Sequence, residues 1–388
     1  MKHGKNKKTL GQYFTKNLLL QNRVFDFILN SPDRILEPCI GEGDLVAHIV
    51  NKLPDINFTM FEIDESLSTL SDINRDLVRY CDFLKTNVEE KYDTVVGNPP
   101  YIRTKKGNLY IDFIVKCFEL LNTGGELIFI VPSDFFKLTS SSNILTRMIS
   151  AGTFTHIYHP HNENMFENAN IDILVFRYCK DQNLSNEILY NDAKMYLKHN
   201  NGLVTFHKEE IKNYKTLEDI FKICVGLVSG KEEVYKNSIL GNIDVLNDEN
   251  RVDKYIFTEK FPTENIELNT YLLKNKELLL SREIKKFTEK NWYEWGAPRN
   301  LSTMRDNMGK SCIYMNTITR KETIAFTGKV QYFGGGLLML LPRNDISADE
   351  LKETVRYLNS SEFKTNFMFS GRFKIGQRQL CKSQIHYK

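Results

Sequence analysis

The chain contains no apolar run approaching the roughly 18–20 residues of a membrane-spanning helix, so no membrane association is expected. Its basic start, Met1-Lys2-His3-Gly4-Lys5, has no apolar stretch of signal-peptide type behind it. A cytoplasmic location is the expectation. Seven cysteines are scattered singly, at 39, 81, 117, 179, 224, 312 and 381, and no two are spaced C-x-x-C. That excludes a zinc ribbon and a disulfide framework, and leaves small, mostly buried apolar side chains. There is no internal repeat and no low-complexity tract. A formal net charge of +3 does not by itself imply a polyanionic partner.

What is present is a folded composition, 41% hydrophobic and 26% charged, over 388 residues, enough for two domains. The positive charge is unevenly placed. Residues 271–330 hold 12 Lys/Arg against 6 Asp/Glu, and residues 361–388 hold 6 against 1.

The first ~180 residues alternate strand-like and helix-like patterns. Strands are expected at 34–37, 56–63, 93–97, 126–131 and 171–178. Helices are expected at 45–53 and 110–121, the second with Phe113, Cys117 and Leu121 on one face and stopped by Thr123-Gly124-Gly125. This rhythm predicts a doubly wound α/β domain with ligands at the carboxyl ends of its strands. Residues 181–215 are polar and punctuated by Asn. Beyond 217 no α/β alternation is visible. The domains are therefore drawn at 1–215 and 216–388.

Chemistry-bearing residues fall at the predicted strand ends. The first strand runs into Glu37-Pro38-Cys39-Ile40-Gly41-Glu42-Gly43, whose glycines allow a tight turn and close ligand approach. The second ends in Glu62-Ile63-Asp64, where a carboxylate suits two ribose hydroxyls. Asp82-Phe83 offers an acceptor for an adenine amino group and a ring for its face. No Lys or Arg lies in the glycine turn. A carboxylate at its edge repels pyrophosphate and suits a sulfonium and an ammonium. Gly97-Asn98-Pro99-Pro100-Tyr101 then places the Asn98 side-chain oxygen and the Pro99 carbonyl where both could grip one exocyclic amine, with Tyr101 available to stack.

On these motifs the chain resembles the N6-adenine DNA methyltransferases of the gamma motif order, of the restriction-modification type, over about residues 9–178. The resemblance implies a Rossmann-like methyltransferase domain followed by a C-terminal target-recognition domain, with S-adenosyl-L-methionine as cofactor. It implies catalytic roles for Asn98, Pro99, Pro100 and Tyr101, and a base-stacking role for Phe166 within Met165-Phe166-Glu167-Asn168-Ala169. It implies cofactor contacts from Tyr13 and Thr15 in the segment Thr9-Leu10-Gly11-Gln12-Tyr13-Phe14-Thr15. Further contacts are implied from Glu37, Cys39, Gly41, Gly43, Glu62, Ile63, Asp82, Phe83 and Asn98. Cys39-Ile40 departs mildly from the small residues commoner in that turn.

The implied partner is double-stranded DNA, with room for a cognate restriction endonuclease acting on the same site. In the C-terminal half, Arg282, Arg299, Arg372 and Lys374 are the candidate DNA contacts, and Trp292 and Trp295 fit either DNA or core. Gly226–Lys231 is one residue short of a phosphate loop and has Glu232 where a hydroxyl would hold magnesium. His156, His159 and His161 lack a completing ligand, so no metal is expected. The same acceptor pair leaves open an RNA adenine-N6 or a cytosine-N4 DNA methyltransferase. A protein glutamine methyltransferase and a DNA-binding module without catalysis are the remaining alternatives.

Overall fold

The structure is a computed structural model that describes residues 13–70, 73–105, 107–167, 169–181, 184–210 and 215–385. Thr9–Gln12 and Asn168 of the motifs above lie outside the described residues. The chain divides into two compact units, residues 1–212 with 369–371, and residues 213–368 with 372–388. Among the described residues no helix is long and apolar enough to cross a membrane.

The first unit follows the order α1 (Leu18–Asp26), β1 (Arg34–Glu37), α2 (Asp44–Lys52), β2 (Asn57–Glu62), β3 (Val78–Tyr80), β4 (Tyr92–Gly97), α3 (Leu109–Leu120), β5 (Leu121–Pro132), α4 (Ser142–Ala151), β6 (Thr153–Tyr158) and β7 (Ile173–Cys179). Three further strands follow, β8 (Glu187–Tyr190), β9 (Ala193–Asn200) and β10 (Leu203–His207). All ten strands form one sheet in the order β10-β9-β8-β6-β7-β5-β4-β1-β2-β3. Strands β3, β2, β1, β4 and β5 are parallel, and β7 runs antiparallel to both β5 and β6.

The two-residue period of the strands sends alternate side chains to opposite layers. Leu36, Val95, Leu127 and Phe129 pack with Tyr110, Phe113 and Ile114 of α3 and Leu145 of α4. Ile35, Val96, Ile128 and Ile130 pack with Leu20 and Val24 of α1 and Leu45 and Ile49 of α2. Helices therefore cover both faces, the doubly wound arrangement that the alternation predicts. Arg177 Nε pairs with buried Glu126 at 2.7 Å. Glu126 also accepts from the Leu29 and Asn30 amides and the Thr94 hydroxyl, so its buried charge is fully bonded.

Residues 181–215, polar and punctuated by Asn, carry β8, β9 and β10; Glu187, Ala193 and Lys194 are exposed, whereas Leu203–His207 of β10 are all buried. One expectation is corrected. Thr123-Gly124-Gly125 does not stop the helix. It ends at Leu120, and Gly124, at φ 81, lies inside β5, where the register with β4 slips.

The second unit is built on an antiparallel sheet, β11 (Phe221–Val225), β12 (Ser311–Asn316), β13 (Ala325–Lys329) and β14 (Leu337–Pro342), in the order β11-β14-β12-β13. Trp292 and Trp295 are both buried in its core, and Trp295 Nε1 donates to the Ile256 carbonyl at 2.8 Å.

Candidate active site

Four parallel strands end at one edge. Glu37 closes β1, Glu62 closes β2, Cys81-Asp82 follows β3 and Asn98 follows β4. Together with Tyr13, Thr15, Cys39, Gly41, Ile63 and Phe83 they line one cleft of about 1000 Å³, open solvent at its mouth included. Of the expected cofactor residues only Gly43 is not on the wall. It is the N-cap of α2 at φ 91, and a Cβ there would stand 2.8 Å from Ile73 Cγ1, so its glycine serves the turn.

The acids are held in different ways. Glu37 is 2% exposed; one oxygen accepts the Cys39 amide at 3.1 Å, and the Cys39 thiol lies 3.8 Å from the other. Burial pushes its carboxyl well up, and the charge of Glu62 adds to the push. Gly97 makes room for it, since a Cβ there would come within 3.0 Å of Glu37 Oε1. Glu62 accepts three backbone amides, from Gly41, Ile63 and Asp64, each at 2.9 Å. Burial still raises its carboxyl, the amides acting against the shift. Asp82 accepts the Leu84 amide at 3.1 Å and meets Lys85 at 2.8 Å. Phe83 is buried between Phe61 and Phe113, at 5.1 and 5.7 Å between centroids. Burial and the neighbouring Glu37 charge raise the Cys39 thiol well above its ordinary value, so it is no thiolate nucleophile.

Beside the acids stands Asn98. Its Nδ2 donates to the Tyr13 carbonyl at 2.6 Å and to Thr15 Oγ1 at 3.1 Å. Its Oδ1 accepts the Tyr101 hydroxyl at 2.5 Å. The amide is therefore oriented, with nitrogen toward the N-terminal segment and oxygen toward Tyr101. Tyr101 stacks on Tyr13, and Phe166 stands edge-on to Tyr101 and tilted to Tyr13. Phe166 is itself 5% exposed, and its neighbour Met165 is buried as well. The structure thus brings Asn98, Tyr101 and Phe166 together from segments far apart in sequence.

Sequence reasoning missed part of the wall. Phe14, Pro38, Asp44, Leu45, Leu84, Ile102 and Leu109 also line the cleft. Phe14, Pro38 and Leu84 adjoin recognised motif residues, and that adjacency was the available signal. Ile102 and Leu109 flank a short hairpin and carry no chemical signature.

In the second unit, Arg282 is buried rather than exposed for a DNA contact, which corrects that expectation. It is 8% exposed and donates to four carbonyls, those of Leu279, Ser229, Glu294 and Trp292, with its guanidinium over the Phe287 ring. Arg299 and Lys374 are exposed, and Arg372 is half-buried. The histidine cluster resolves into a pair: His159 bridges Asp172 and Tyr190, both at 2.8 Å, and His161 lies against its ring. Among the described residues no group of three His, Cys, Asp or Glu could hold a metal ion.

A parallel α/β core binds its ligand at the carboxyl ends of the strands, where this acid-lined cleft lies. Residues 42–166 match the model of the Eco57I restriction-modification methylase family. Among curated relatives, the Type II methyltransferase M.HincII of Haemophilus influenzae is 29% identical over 216 residues, 50% of this chain and 42% of that protein. Modification methylase CviBIII of Paramecium bursaria Chlorella virus NC1A is 34% identical over 151 residues, 33% of this chain and 40% of that protein. The chain thus spans less than half the length of these relatives. Among solved structures, the Type IIL restriction-modification enzyme MmeI in complex with DNA aligns with 93% of this chain and 63% of its own, at TM-score 0.53 and 10% identity, a likeness of fold.

The residues of this wall fit S-adenosylmethionine. Glu37 is a buried carboxylate without a cationic partner at its wall, suited to an ammonium. Glu62 and Asp82 present acceptors, and Phe83 an aromatic edge, where a nucleoside would lie.

Proposed function

We propose that the chain methylates the exocyclic N6 of an adenine extruded from duplex DNA, as the modification half of a restriction-modification system. The observation that carries this reading is the fixed Asn98 amide on the cleft wall, its oxygen turned to Tyr101, whose ring stacks on Tyr13 and meets Phe166 edge-on. An arylamine is a poor nucleophile because its lone pair is drawn into the ring. Asn98 Oδ1 and the Pro99 carbonyl, each accepting one N–H, hold the nitrogen toward tetrahedral geometry and return that lone pair for attack. S-adenosylmethionine supplies an electrophilic methyl group on a sulfonium. Glu37 orients the methionine ammonium, Glu62 the ribose and Asp82 the adenine of that cofactor, so the protein contributes alignment and polarisation.

A base inside a duplex cannot reach this cleft, so the target is flipped, at a cost of about a few kcal/mol. Stacking on the Tyr101 ring, with Phe166 edge-on beside it, offsets that, at about 1–3 kcal/mol per base. The second unit supplies the DNA recognition surface, with Arg299, Arg372 and Lys374 as its candidate contacts. The relatives' restriction-modification names support a DNA substrate and a companion endonuclease reading the same site.

The test is sequencing of modified bases in DNA from cells expressing the wild-type chain or Asn98→Ala. Methylated adenine at one recurrent site is expected with the wild type and none with the variant, while the variant still binds the same duplex. N4-methylcytosine instead, or undiminished methylation by Asn98→Ala, overturns the reading.

A further inference from the structure

We propose that Tyr101 is a latch on the Asn98 acceptor: in the free protein its hydroxyl holds the oxygen that the target amine must take, and its ring closes the slot into which the base must slide. The inference rests on the base-methylation reading above and adds to it a gate on the same site.

Acceptor and ring are blocked together. The Tyr101 hydroxyl donates to Asn98 Oδ1 at 2.5 Å, with the Ile130 carbonyl 3.1 Å away as a second acceptor. Asn98 cannot turn its oxygen elsewhere without losing the two bonds its Nδ2 makes to Tyr13 and Thr15. The Tyr101 ring lies against Tyr13 with centroids 5.4 Å apart and planes 27° apart. A flat base inserted between two rings needs two contacts of about 3.5 Å, so about 7 Å in all. Phe166 and Tyr110 stand edge-on to the same ring, at 6.2 and 6.1 Å. Burial raises the Tyr101 phenol well above its ordinary value, so the hydroxyl stays protonated and remains a donor.

These facts couple two events. The hydroxyl oxygen is rigidly attached to the ring. Parting Tyr101 from Tyr13 to admit a base therefore draws the hydroxyl off Asn98, and the acceptor is freed when a base arrives to use it. The incoming N–H replaces the lost O–H, so Asn98 Oδ1 is satisfied in both states. No covalent bond changes. A closed latch lowers apparent affinity by the fraction of protein that is open. It also keeps the polar acceptor covered until a flipped base displaces its tenant.

Tyr101→Phe keeps the ring and deletes only the hydroxyl. One hydrogen bond of this kind shifts the opening equilibrium about two- to ten-fold. The probe is a fluorescent duplex carrying the site mapped by sequencing, with its dissociation constant read by anisotropy. Four proteins are compared: wild type, Tyr101→Phe, Asn98→Ala and the double variant, each checked for an unchanged melting transition. Tyr101→Phe is expected to tighten binding and lower KM for DNA about two- to ten-fold. The tightening is expected to shrink or vanish in the Asn98→Ala background, where there is no oxygen left to latch. Binding that is unchanged or weaker in Tyr101→Phe overturns the latch. So does equal tightening in both backgrounds, which would mean that the hydroxyl acts through packing alone. A wild type that methylates no DNA removes the base-methylation reading and the latch with it. A wild type that methylates without this coupling removes the latch alone.

Discussion

Glu62 accepts the amide of Gly41 at 2.9 Å, across the gap between the end of β2 and the glycine turn that follows β1. Its other oxygen accepts the amides of Ile63 and Asp64. The side chain that faces the cleft as a candidate ribose ligand is therefore also the brace of the turn beside it. Glu62→Ala leaves these amides without their acceptor. We expect a stability loss of about 1–3 kcal/mol, read by denaturant unfolding, together with loss of S-adenosylmethionine binding in calorimetry. Weakened binding with unchanged stability would show that the bracing contributes nothing.

Glu37 makes a prediction about pH. Burial, reinforced by the Glu62 charge, holds its carboxyl well above the ordinary range. A carboxyl raised in the folded state binds its proton more tightly there than in the unfolded chain. Its stabilising contribution is complete below the unfolded value near 4.5 and is lost as pH rises through the folded value. A cationic ligand reverses the preference, because it requires the carboxylate. Cofactor affinity is thus expected to rise with pH through the raised value and to release protons on binding. Calorimetry in buffers of different ionisation enthalpy measures that release, and Glu37→Gln should abolish it. Proton release that persists in Glu37→Gln would assign the effect to another group.

Arg282 and Arg299 separate a structural cation from a candidate DNA contact. Arg282→Ala removes four hydrogen bonds in a buried place; the Ser229 and Glu294 carbonyls keep donors in the Gly296 amide and the Tyr235 hydroxyl, while those of Leu279 and Trp292 lose theirs. It is expected to cost about 3 kcal/mol in the unfolding of the second unit. Arg299 is exposed, and its replacement by Ala should leave stability unchanged. If it meets a phosphate, that variant also lowers the slope of log affinity for DNA against log salt by about 0.9. An unaltered slope would remove Arg299 from the contact surface.

Much of the parallel core was legible before the structure. Continuous apolar segments ending in Glu37, Glu62 and Asn98 mark strands whose carboxyl ends must carry the ligand, and the cleft lies there. The strands β8 to β10 were not legible, because 181–215 is polar and punctuated by Asn, and the buried run Leu203–His207 at the sheet edge is too short to mark a strand by itself. Arg282 was misread for a related reason. A basic residue in a basic stretch looks solvated until a fold converges four carbonyls on it.

The order of motifs along the chain settled the chemistry that this protein can hold, because the acids, the glycine turn and the Asn-Pro-Pro-Tyr segment are each local and each follow a strand. Tertiary structure alone decided how those pieces meet. It brought Tyr13, Tyr101 and Phe166 into one aromatic group from segments up to 153 residues apart, and it seated the Tyr101 hydroxyl on the Asn98 oxygen. The physical reason is that hydrogen bonds and ring contacts between distant segments depend on where the sheet delivers their backbones, and no local pattern of residues encodes that distance.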